Sequence, residues 1–264
     1  MIDNLISIIM PSYNTREYIS DSIRSIQSQT YKDWELIIVD DCSTDDTEAI
    51  VREFMAGDDR IKWYKNDVNS GAAISRNRGL RAAQGRWIAF LDSDDVWIPT
   101  KLEEQLDFMI KNHYAFSYHD YRIQLNGTWL PYNCTGPDMV NKRRMYNYCY
   151  FSTITVMYDA SVVGLIQINN LRKNNDYAMW LKAVEKTNCY RYPKCMSYYI
   201  KHDGSVSSGS KAKLIKWHYL LFRVGQGYNP VVSAVLTVNN MFWGVLKKMK
   251  YKEEAEKLPE VTWR

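Results

Sequence analysis

Three aspartates, Asp92, Asp94 and Asp95, follow directly after a short apolar run at residues 88–91. Such a run predicts a buried strand of a parallel sheet, and the carboxyl ends of these strands face the crevice where ligands bind. Residues two apart on extended backbone share a face, so Asp92 and Asp94 can point at one target. Their mutual repulsion favours a hard cation such as Mg²⁺ or Mn²⁺, which prefers oxygen ligands and leaves positions for phosphate oxygens. The competing interpretation is an acidic turn that caps a helix whose first residue is Pro99.

The whole chain has 264 residues, a net charge of +4 and a pI near 8.6. This length permits one large domain, or one domain with a C-terminal appendage. The positive excess is too small to predict nucleic-acid binding. Five cysteines without CxxC spacing are typical of reduced thiols in a cytosolic protein. The N-terminal apolar run is too short for a signal peptide and no stretch approaches the roughly 18 apolar residues of a membrane span, so we expect a cytoplasmic protein.

Over the first hundred or so residues, apolar runs alternate with segments of helical periodicity. This alternation is typical of βαβ units, and it predicts an α/β fold with a mainly parallel sheet flanked by helices. Strands are predicted at residues 5–10, 34–39, 61–64 and 88–91, and a helix at residues 72–83. Ser43 is expected to cap a helix that starts near Thr44, with Asp46 close to its positive end.

From about residue 123 the sequence becomes rich in Asn, Gly, Pro and Tyr and loses clear periodicity. Such a composition is typical of substrate-facing loops. Within and around this region we predict strands at residues 115–118, 151–158 and 198–200, and a helix at residues 176–184.

The C-terminal region carries positive charge without negative charge. No Asp or Glu lies between Gly204 and Lys252, and aromatic residues alternate there with a basic set: Lys211, Lys213, Lys216, Arg223, Lys247, Lys248, Lys250 and Lys252. A basic, aromatic-rich pair of helices, split at residues 225–230, can lie on an anionic membrane surface, which predicts peripheral membrane association. The alternative is a helical appendage packed on the catalytic domain, with a solvated basic face.

Four segments, SIIMPSYN, ELIIVDDCSTDDT, NSGAAISRNRG and IAFLDSDDVW, resemble the motifs of family 2 glycosyltransferases in order and spacing. The likeness extends to bacterial enzymes of teichuronic acid and capsular polysaccharide assembly, and it covers about residues 5–207. It implies the nucleotide-sugar-binding fold called GT-A. It also implies a catalytic domain at residues 1–207, with a nucleotide-binding half at 1–118 and an acceptor-binding half at 119–207, followed by a helical segment at 208–264.

The resemblance implies which residues bind the sugar donor. Pro11, Tyr13 and Asp41 would line the base pocket of a UDP-sugar, and Asn69 and Arg76 would help to hold the nucleoside. Asp92 would contact the ribose or the metal, and Asp94 the metal. Each assignment makes physical sense and has a plainer rival. The ring of Tyr13 can stack on a base, or it can belong to the core. Asp41 can accept the imide N–H of uracil, or it can cap a helix. Arg76 can grip a phosphate, or it can be a solvated helical residue.

The resemblance places the catalytic base at Asp176, whose carboxylate can take the proton of an acceptor hydroxyl. Trp180, one helical turn later, can offer an apolar platform to the acceptor sugar or can be a core residue. The family commonly has Glu before the base, whereas this chain has Asn175, so an acceptor contact is expected to differ. The resemblance also implies that His202 touches metal or diphosphate, with an exposed loop histidine as the alternative.

The function implied by the resemblance is inverting transfer from a nucleotide sugar, with Mn²⁺ or Mg²⁺, to a glycan or polyprenyl-linked acceptor in bacterial surface polysaccharide synthesis. The enzyme is expected at the inner face of the cell membrane. One rival is a sugar-phosphate nucleotidyltransferase, which would need a glycine-rich basic loop where this chain has PSYNTREY. Another is a non-catalytic nucleotide-sugar-binding subunit of an assembly complex, against which the presence of both Asp94 and Asp176 argues.

Overall fold

The computed structural model describes residues 1–201 and 211–255, and the apolar runs of the N-terminal half form parallel strands there. These are β1 (Ile2–Ser12), β2 (Trp34–Asp40), β3 (Ile61–Lys65) and β4 (Gly85–Phe90), in the order β4-β1-β2-β3. Every residue of β2 is buried. A strand covered on both faces has no need for polar alternation, which explains its nearly continuous apolar sequence. The predicted strands of this half are therefore confirmed.

Helices cover both faces of the parallel strands: α1 (Ile19–Gln27), α2 (Thr47–Gly57), α3 (Ala72–Ala82) and α4 (Lys101–Asn112). Adjacent residues of β1 belong to different buried clusters. Ile8 shares a cluster with Ile23 of α1 and Leu102 of α4, whereas Ile9 shares one with Leu80 of α3. Successive side chains of a strand point to opposite faces, so the two clusters lie on the two sides of the sheet. This confirms the predicted helix at residues 72–83 and the α/β layering.

Two predicted helix starts are wrong. α2 begins at Thr47, later than predicted, because Ser43 donates its hydroxyl hydrogen to the carboxylate of Asp40 in the preceding turn instead of capping a helix. α4 begins two residues after Pro99, and its cap residue is Thr100. The acidic residues after β4 thus do not cap α4, and the helix-capping interpretation of them is wrong.

The second half of the chain extends the sheet with mostly antiparallel strands. They are β5 (Val96–Trp97), β6 (Phe116–Leu125), β7 (Thr128–Cys134), β8 (Met139–Val140), β9 (Met157–Asp159), β10 (Cys189–Lys201) and β11 (Lys252–Glu254). From β4 outward the order is β9-β6-β7-β11, each strand antiparallel to its neighbour. β10 pairs with β6 in parallel and with β5 and β8 in antiparallel fashion.

Sequence patterns in this half predict the strands less accurately than those of the N-terminal half do. The strand predicted at residues 151–158 is confirmed only at its end, where β9 begins at Met157, because a 3₁₀ turn (Thr153–Thr155) lies in the middle of the predicted range. The strands predicted at residues 115–118 and 198–200 are confirmed as the start of β6 and the end of β10. The remaining helices here are α5 (Lys142–Asn147), α6 (Ala160–Val163) and α7 (Asn175–Ala183). The last of these confirms the helix predicted at residues 176–184.

The C-terminal segment folds as α8 (Lys211–Leu220), a π-helical turn (Leu221–Gly225) and α9 (Pro230–Lys250), which confirms the predicted split. Leu221 and Phe222 are fully buried in the apolar cluster that also contains Trp180 of α7. After α9, β11 pairs with β7. The segment therefore packs on the preceding domain, and a domain boundary at residues 207–208 stays a prediction. In the two described ranges, no helix combines the length and the apolar character needed to cross a bilayer.

Candidate active site

The acidic residues after β4 form a tight turn at the carboxyl edge of the parallel strands. The N–H of Asp95 donates to the carbonyl of Asp92 at 3.1 Å, which closes the turn. The side chain of Asp92 is 28% exposed, whereas Asp95 is fully buried. Asp92 and Asp94 are therefore both accessible from solvent, whereas Asp95 is not, and the ligand contacts of the first two stay predictions.

Arg76 of α3 connects this turn to α7. One guanidinium nitrogen, Nη2, donates to Asp92 Oδ1 at 2.6 Å, and the other, Nη1, donates to Asn175 Oδ1 at 3.0 Å. Burial acts to lower the pKa of Arg76, but the charges of Asp92, Asp176 and Asp94 outweigh it and hold that pKa above its ordinary value. Arg76 is buried, so its interpretation as a solvated helical residue is wrong. Its cation organises carboxylates that come from both halves of the chain.

Asp95 connects the same turn to the end of β10. Its Oδ1 accepts a hydrogen bond from the backbone N–H of Ile200 at 2.7 Å. Burial, followed by repulsion from Asp94 and Asp92, raises the pKa of Asp95 well above its ordinary value. This bond holds β10 two residues before His202, which lies outside the described residues together with its predicted contact to metal or diphosphate.

The charges in the turn suit a divalent cation. The bond between the N–H of Asp95 and the carbonyl of Asp92 places Asp92, Asp94 and Asp95 in one turn, which concentrates their negative charges. Among the residues that the structure describes, no group of three or more acidic, His or Cys side chains is placed to hold a metal. Mg²⁺ and Mn²⁺ at phosphate sites typically take one or two carboxylates and complete their shell with water and phosphate oxygens. The donor set of Asp92 and Asp94 therefore fits a metal that is shared with a diphosphate.

Asp176 lies in the first turn of α7 and is held by two hydrogen bonds. Thr153 of the 3₁₀ turn donates its hydroxyl to Asp176 Oδ2 at 3.0 Å, and the N–H of Tyr177 donates to Oδ1 at 2.8 Å. The bond between Arg76 and Asn175 joins positions 99 residues apart and brings the start of α7 to the acidic turn. The candidate base thus belongs to the same cluster of charged groups around Arg76 as the candidate metal ligands.

Replacing Thr153 by Val, which keeps the shape but removes the hydroxyl, is expected to lower kcat by about tenfold. A hydrogen bond to a charged group contributes about 1.5–3 kcal/mol, and about 1.4 kcal/mol corresponds to a factor of ten in rate. Steady-state kinetics should show an unchanged KM for the donor. Thr153→Ser retains the hydroxyl and should recover most of the activity. A valine variant with wild-type kcat would mean that this bond does not orient Asp176.

The predicted base pocket surrounds the loop that follows β1. Pro11 is buried within β1 and pairs with Val39 of β2, whereas Tyr13 directly after the strand has an exposed fraction of 48%. An exposed aromatic ring can stack on a flat base, and the interpretation of Tyr13 as a core residue is wrong. Asn69 is exposed in the loop before α3. The nucleoside contacts of these three residues stay predictions.

Asp41 organises the start of α3 through its own carboxylate. Its Oδ1 accepts from Asn66 Nδ2 at 2.8 Å and from the N–H of Ser70 at 2.9 Å, and its Oδ2 accepts from the N–H of Gly71 at 2.6 Å. Gly71 has a φ of 89°, a left-handed conformation that favours glycine. A carboxylate has about four lone-pair sites, so one remains for a further donor such as an imide N–H. Asp41 therefore fixes the loop before α3 without capping the helix itself, and the uracil contact stays a prediction.

Trp180 is a core residue, and its prediction as an acceptor platform is wrong. The side chain is fully buried and its ring packs against Phe90, Phe116 and Phe151, with centroids 5.4, 5.8 and 6.2 Å away. Its spacing from Asp176 fits both an acceptor platform and a core residue, but the side of α7 that carries Trp180 packs against the sheet. A fully buried indole cannot offer a face to a sugar.

Replacing Trp180 by Ala is expected to lower the free energy of unfolding by about 3–5 kcal/mol, the usual cost of a large cavity in a core. Trp180→Phe should cost less, since it keeps part of the ring packing and removes an indole N–H that has no hydrogen-bond partner within the described structure. Urea denaturation checks both values. A stable alanine variant with a raised KM for the acceptor would restore the platform interpretation.

Two positioning residues, Thr153 and Asp95, are not predicted from the sequence. The run Ser152–Thr155 contains small polar residues inside an apolar segment, a signal that favours a turn over a strand and could have pointed to Thr153. The sequence places Asp95 beside Asp92 and Asp94 but indicates no role for it, and its burial is visible only in the fold. Asn175 was recognised as a departure from the family, and its amide oxygen turns out to accept from Arg76.

The sequence profile of glycosyl transferase family 2 matches residues 7–165. WfgD of Escherichia coli, a UDP-Glc:α-D-GlcNAc-diphosphoundecaprenol β-1,3-glucosyltransferase, is 41% identical over 250 residues, which cover 94% of this chain and 96% of WfgD. TuaG of Bacillus subtilis (strain 168), a glycosyltransferase named for teichuronic acid biosynthesis, is 40% identical over 221 residues, which cover 83% of this chain and 87% of TuaG.

Two solved structures share the fold. Staphylococcus aureus TarS 1–349 in complex with UDP-GlcNAc superposes with a TM-score of 0.70 at 23% identity, over 89% of this chain and 71% of TarS 1–349. The mannosyltransferase PcManGT of Pyrobaculum calidifontis, in complex with GDP-Man and Mn²⁺, superposes with a TM-score of 0.63 at 16% identity, over 92% of this chain and 71% of PcManGT. At such identities the likeness establishes the fold alone, and that fold is the predicted GT-A arrangement.

Proposed function

Because the chain belongs to glycosyl transferase family 2, we propose that it is a metal-dependent, inverting transferase that moves a hexose from a UDP-sugar to a hydroxyl of a polyprenyl-diphosphate-linked glycan. The observation that carries the proposal is the cluster around Arg76. It brings the candidate diphosphate site at Asp92 and Asp94 into electrostatic contact with the candidate base Asp176. A donor bound at Asp92 and Asp94 and an acceptor hydroxyl at Asp176 would therefore lie next to each other.

The reaction is a single displacement at the anomeric carbon. The carboxylate of Asp176 accepts the proton of the acceptor hydroxyl as that oxygen attacks. The new bond joins the acceptor oxygen to the anomeric carbon, while the bond from that carbon to the diphosphate breaks and its electron pair leaves with UDP. Attack opposite the leaving group inverts the configuration, and no covalent enzyme intermediate forms.

The leaving diphosphate needs positive charge close by. Asp92 and Asp94, with His202 as a further candidate, would hold Mn²⁺ or Mg²⁺, and such an ion supplies charge neutralisation to the departing UDP. Arg76 holds Asp92 in place through its bond at 2.6 Å. Asp95 holds the end of β10 beside the same turn through the N–H of Ile200. The chain thus orients its metal-binding carboxylates before any substrate arrives.

The choice of donor and acceptor is supported by WfgD, which is named for transfer from UDP-glucose to a diphosphoundecaprenol-linked sugar and whose likeness spans 94% of this chain. UDP-GlcNAc is the ligand in the TarS structure. A lipid-linked acceptor stays in the bilayer, so we place the enzyme at the inner face of the cell membrane.

Two rivals predict different behaviour. A nucleotidyltransferase would release pyrophosphate from a nucleoside triphosphate, yet the loop after β1 carries the exposed Tyr13 and no glycine-rich run. A non-catalytic binding subunit has no need of a positioned base, whereas Asp176 receives hydrogen bonds from both Thr153 and Tyr177. These contacts favour transfer.

The test is a panel of nucleotide sugars, including UDP-glucose and UDP-GlcNAc, with Mn²⁺, Mg²⁺ or chelator. UDP release is measured with and without a diphosphoundecaprenol-linked GlcNAc acceptor, and the product anomer is read by NMR. We expect acceptor-stimulated, metal-dependent UDP release from one donor and a product of inverted configuration. Binding of UDP-sugars without turnover of any acceptor would favour the binding subunit, and a retained configuration would contradict the mechanism.

A further inference from the structure

Helix α9 exposes a continuous apolar stripe to solvent. The stripe repeats at intervals of four and three residues, so its members fall on one side of a helix. Their exposed fractions range from 59% for Phe242 to 77% for Met249, and the full set is Val231, Val235, Val238, Phe242, Val245 and Met249. At about 1.5 Å per residue the stripe is about 27 Å long. Exposed apolar surface of this extent on a protein marks an interaction site.

The opposite side of α9 is polar and faces the domain. Ser233, Thr237 and Asn240 are buried, and Asn240 Nδ2 donates to the hydroxyl of Tyr177 on α7 at 2.6 Å. At Gly244 the helix comes so close to α5 and its following loop that an added Cβ would lie 2.7 Å from the ring of Tyr148. These contacts fix the rotation of α9 about its axis. The helix therefore cannot turn its apolar stripe inward.

The surroundings of the stripe carry positive charge. Leu214 and Ile215 of α8 and Val224 of the π-helical turn are also exposed apolar residues. The exposed charged residues described in α8, the π-helical turn and α9 are basic, namely Lys216, Arg223 and Lys250. Beyond the end of α9, β11 adds the exposed Lys252, Glu253 and Glu254, of which Glu253 is paired with Arg191. No Asp or Glu occurs in the sequence between Gly204 and Lys252. The C-terminal surface thus combines an apolar centre with basic surroundings.

The combination of apolar and basic surface distinguishes between two possible occupants of the stripe, a second copy of the chain and an anionic membrane. A second copy packed on the stripe would place the basic residues of α8 and α9 opposite each other, and neither of these two helices has an acidic residue in its sequence to pair with them. An anionic bilayer supplies both an apolar layer and negative phosphates. We propose that the stripe of α9 lies in the boundary between head groups and acyl chains of an anionic membrane, with the basic residues at the phosphates.

The biological purpose of membrane binding rests on the proposed function, although the exposed stripe and the basic residues that indicate it do not depend on catalysis. The bond between Asn240 and Tyr177 joins the lipid-facing helix to the residue next to Asp176. Gln226 Nε2 also donates to the carbonyl of Ala178 on the same helix α7, at 3.2 Å. Docking of α9 therefore fixes the height of the candidate base above the bilayer, where a lipid-diphosphate-linked acceptor is presented.

The test is flotation of the full-length protein with vesicles of phosphatidylcholine, with or without phosphatidylglycerol, in the absence of donor and acceptor. We expect binding to the anionic vesicles that weakens as salt rises. The double variant Val238→Glu, Phe242→Glu places two charges in the stripe and should lower binding at least tenfold. The matched control is Val162→Glu, because Val162 is 50% exposed on α6, outside the C-terminal surface. It should bind like wild type.

Melting temperature and donor hydrolysis in detergent are measured alongside, and neither should change in the double variant, whose substituted side chains are exposed. Vesicle binding without transfer would refute the proposed function and leave the membrane surface intact. Transfer to a detergent-solubilised acceptor without vesicle binding would refute the membrane surface alone. A stable dimer that the double variant splits, with no vesicle binding by wild type, would identify a second copy as the occupant and overturn the inference.

Discussion

Replacing Asp176 by Asn is expected to lower kcat for transfer by about 10²- to 10⁴-fold, the usual contribution of a general base. The amide matches the carboxylate in shape, but it cannot take a proton from the acceptor hydroxyl at neutral pH. The amide oxygen can still accept from the N–H of Tyr177, and the amide nitrogen can donate to the hydroxyl of Thr153, so the local structure should persist. Transfer is measured by UDP release in the presence of acceptor, and donor binding by calorimetry.

The matched control is Asp107→Asn, which makes the same change at an exposed position of helix α4. It should keep wild-type kinetics. Donor affinity should be unchanged in Asp176→Asn, because the candidate donor carboxylates are Asp92 and Asp94. Turnover close to wild type would refute the assignment of the base. A large fall in melting temperature would instead assign Asp176 a structural role at the start of α7.

Replacing Asp94 by Asn is expected to weaken Mn²⁺-dependent binding of UDP by about 100-fold. Even partners outside the ligand shell of a metal contribute about 10- to 100-fold to its affinity, and a charged oxygen ligand contributes at least as much. The charge of Asp94 also acts on Asp95 and Arg76, so its loss changes the electrostatics of the whole pocket. Calorimetric titration of UDP with Mn²⁺, and again with chelator, measures the effect.

Asp59→Asn serves as the matched control, since Asp59 is exposed in the loop between α2 and β3 and makes the same change in net charge. Its UDP affinity should match wild type. In chelator, both proteins should bind UDP with low affinity, and Asp94→Asn should bind it no more weakly than the wild type, because without metal the carboxylate only repels the diphosphate. An unchanged affinity in Mn²⁺ would remove Asp94 from the metal site.

The two variants also separate the halves of the reaction. Asp94→Asn is expected to act at the donor and Asp176→Asn at the acceptor, although both side chains interact with Arg76. A buried arginine that interacts with several carboxylates couples them, so some loss of additivity is expected in the double variant. The size of that coupling measures how much of the pocket Arg76 organises.

The parallel strands and the position of the candidate donor site could be predicted from the sequence alone. The apolar runs of β1, β2 and β4 predicted buried parallel strands, because a strand covered on both faces needs no polar side. The acidic residues after β4 predicted a ligand-binding edge, because strand ends in such sheets face a crevice. These features are local. Strand, turn and charge lie within a few residues of each other, so their spacing can be read directly.

Other features depend on contacts between distant parts of the chain. Arg76 meets Asn175 across 99 residues, and no local pattern around either one predicts that bond. Trp180 has the same spacing from Asp176 whether it faces an acceptor or the core, and only the packing of α7 on the sheet decided for the core. β11 has the charged sequence KEE, and it becomes a strand because β7 offers an unpaired edge.

The same limit applies to the C-terminal helices. The sequence determined their positive charge and their break before Pro230, both of which are properties of neighbouring residues. It could not decide which side of α9 faces the protein, because the helix is apolar on most of its circumference. Tertiary contacts of Asn240 and Gly244 decided it, with the polar side inward. Burial depends on which surfaces meet in three dimensions, and the periodicity of one helix does not contain that information.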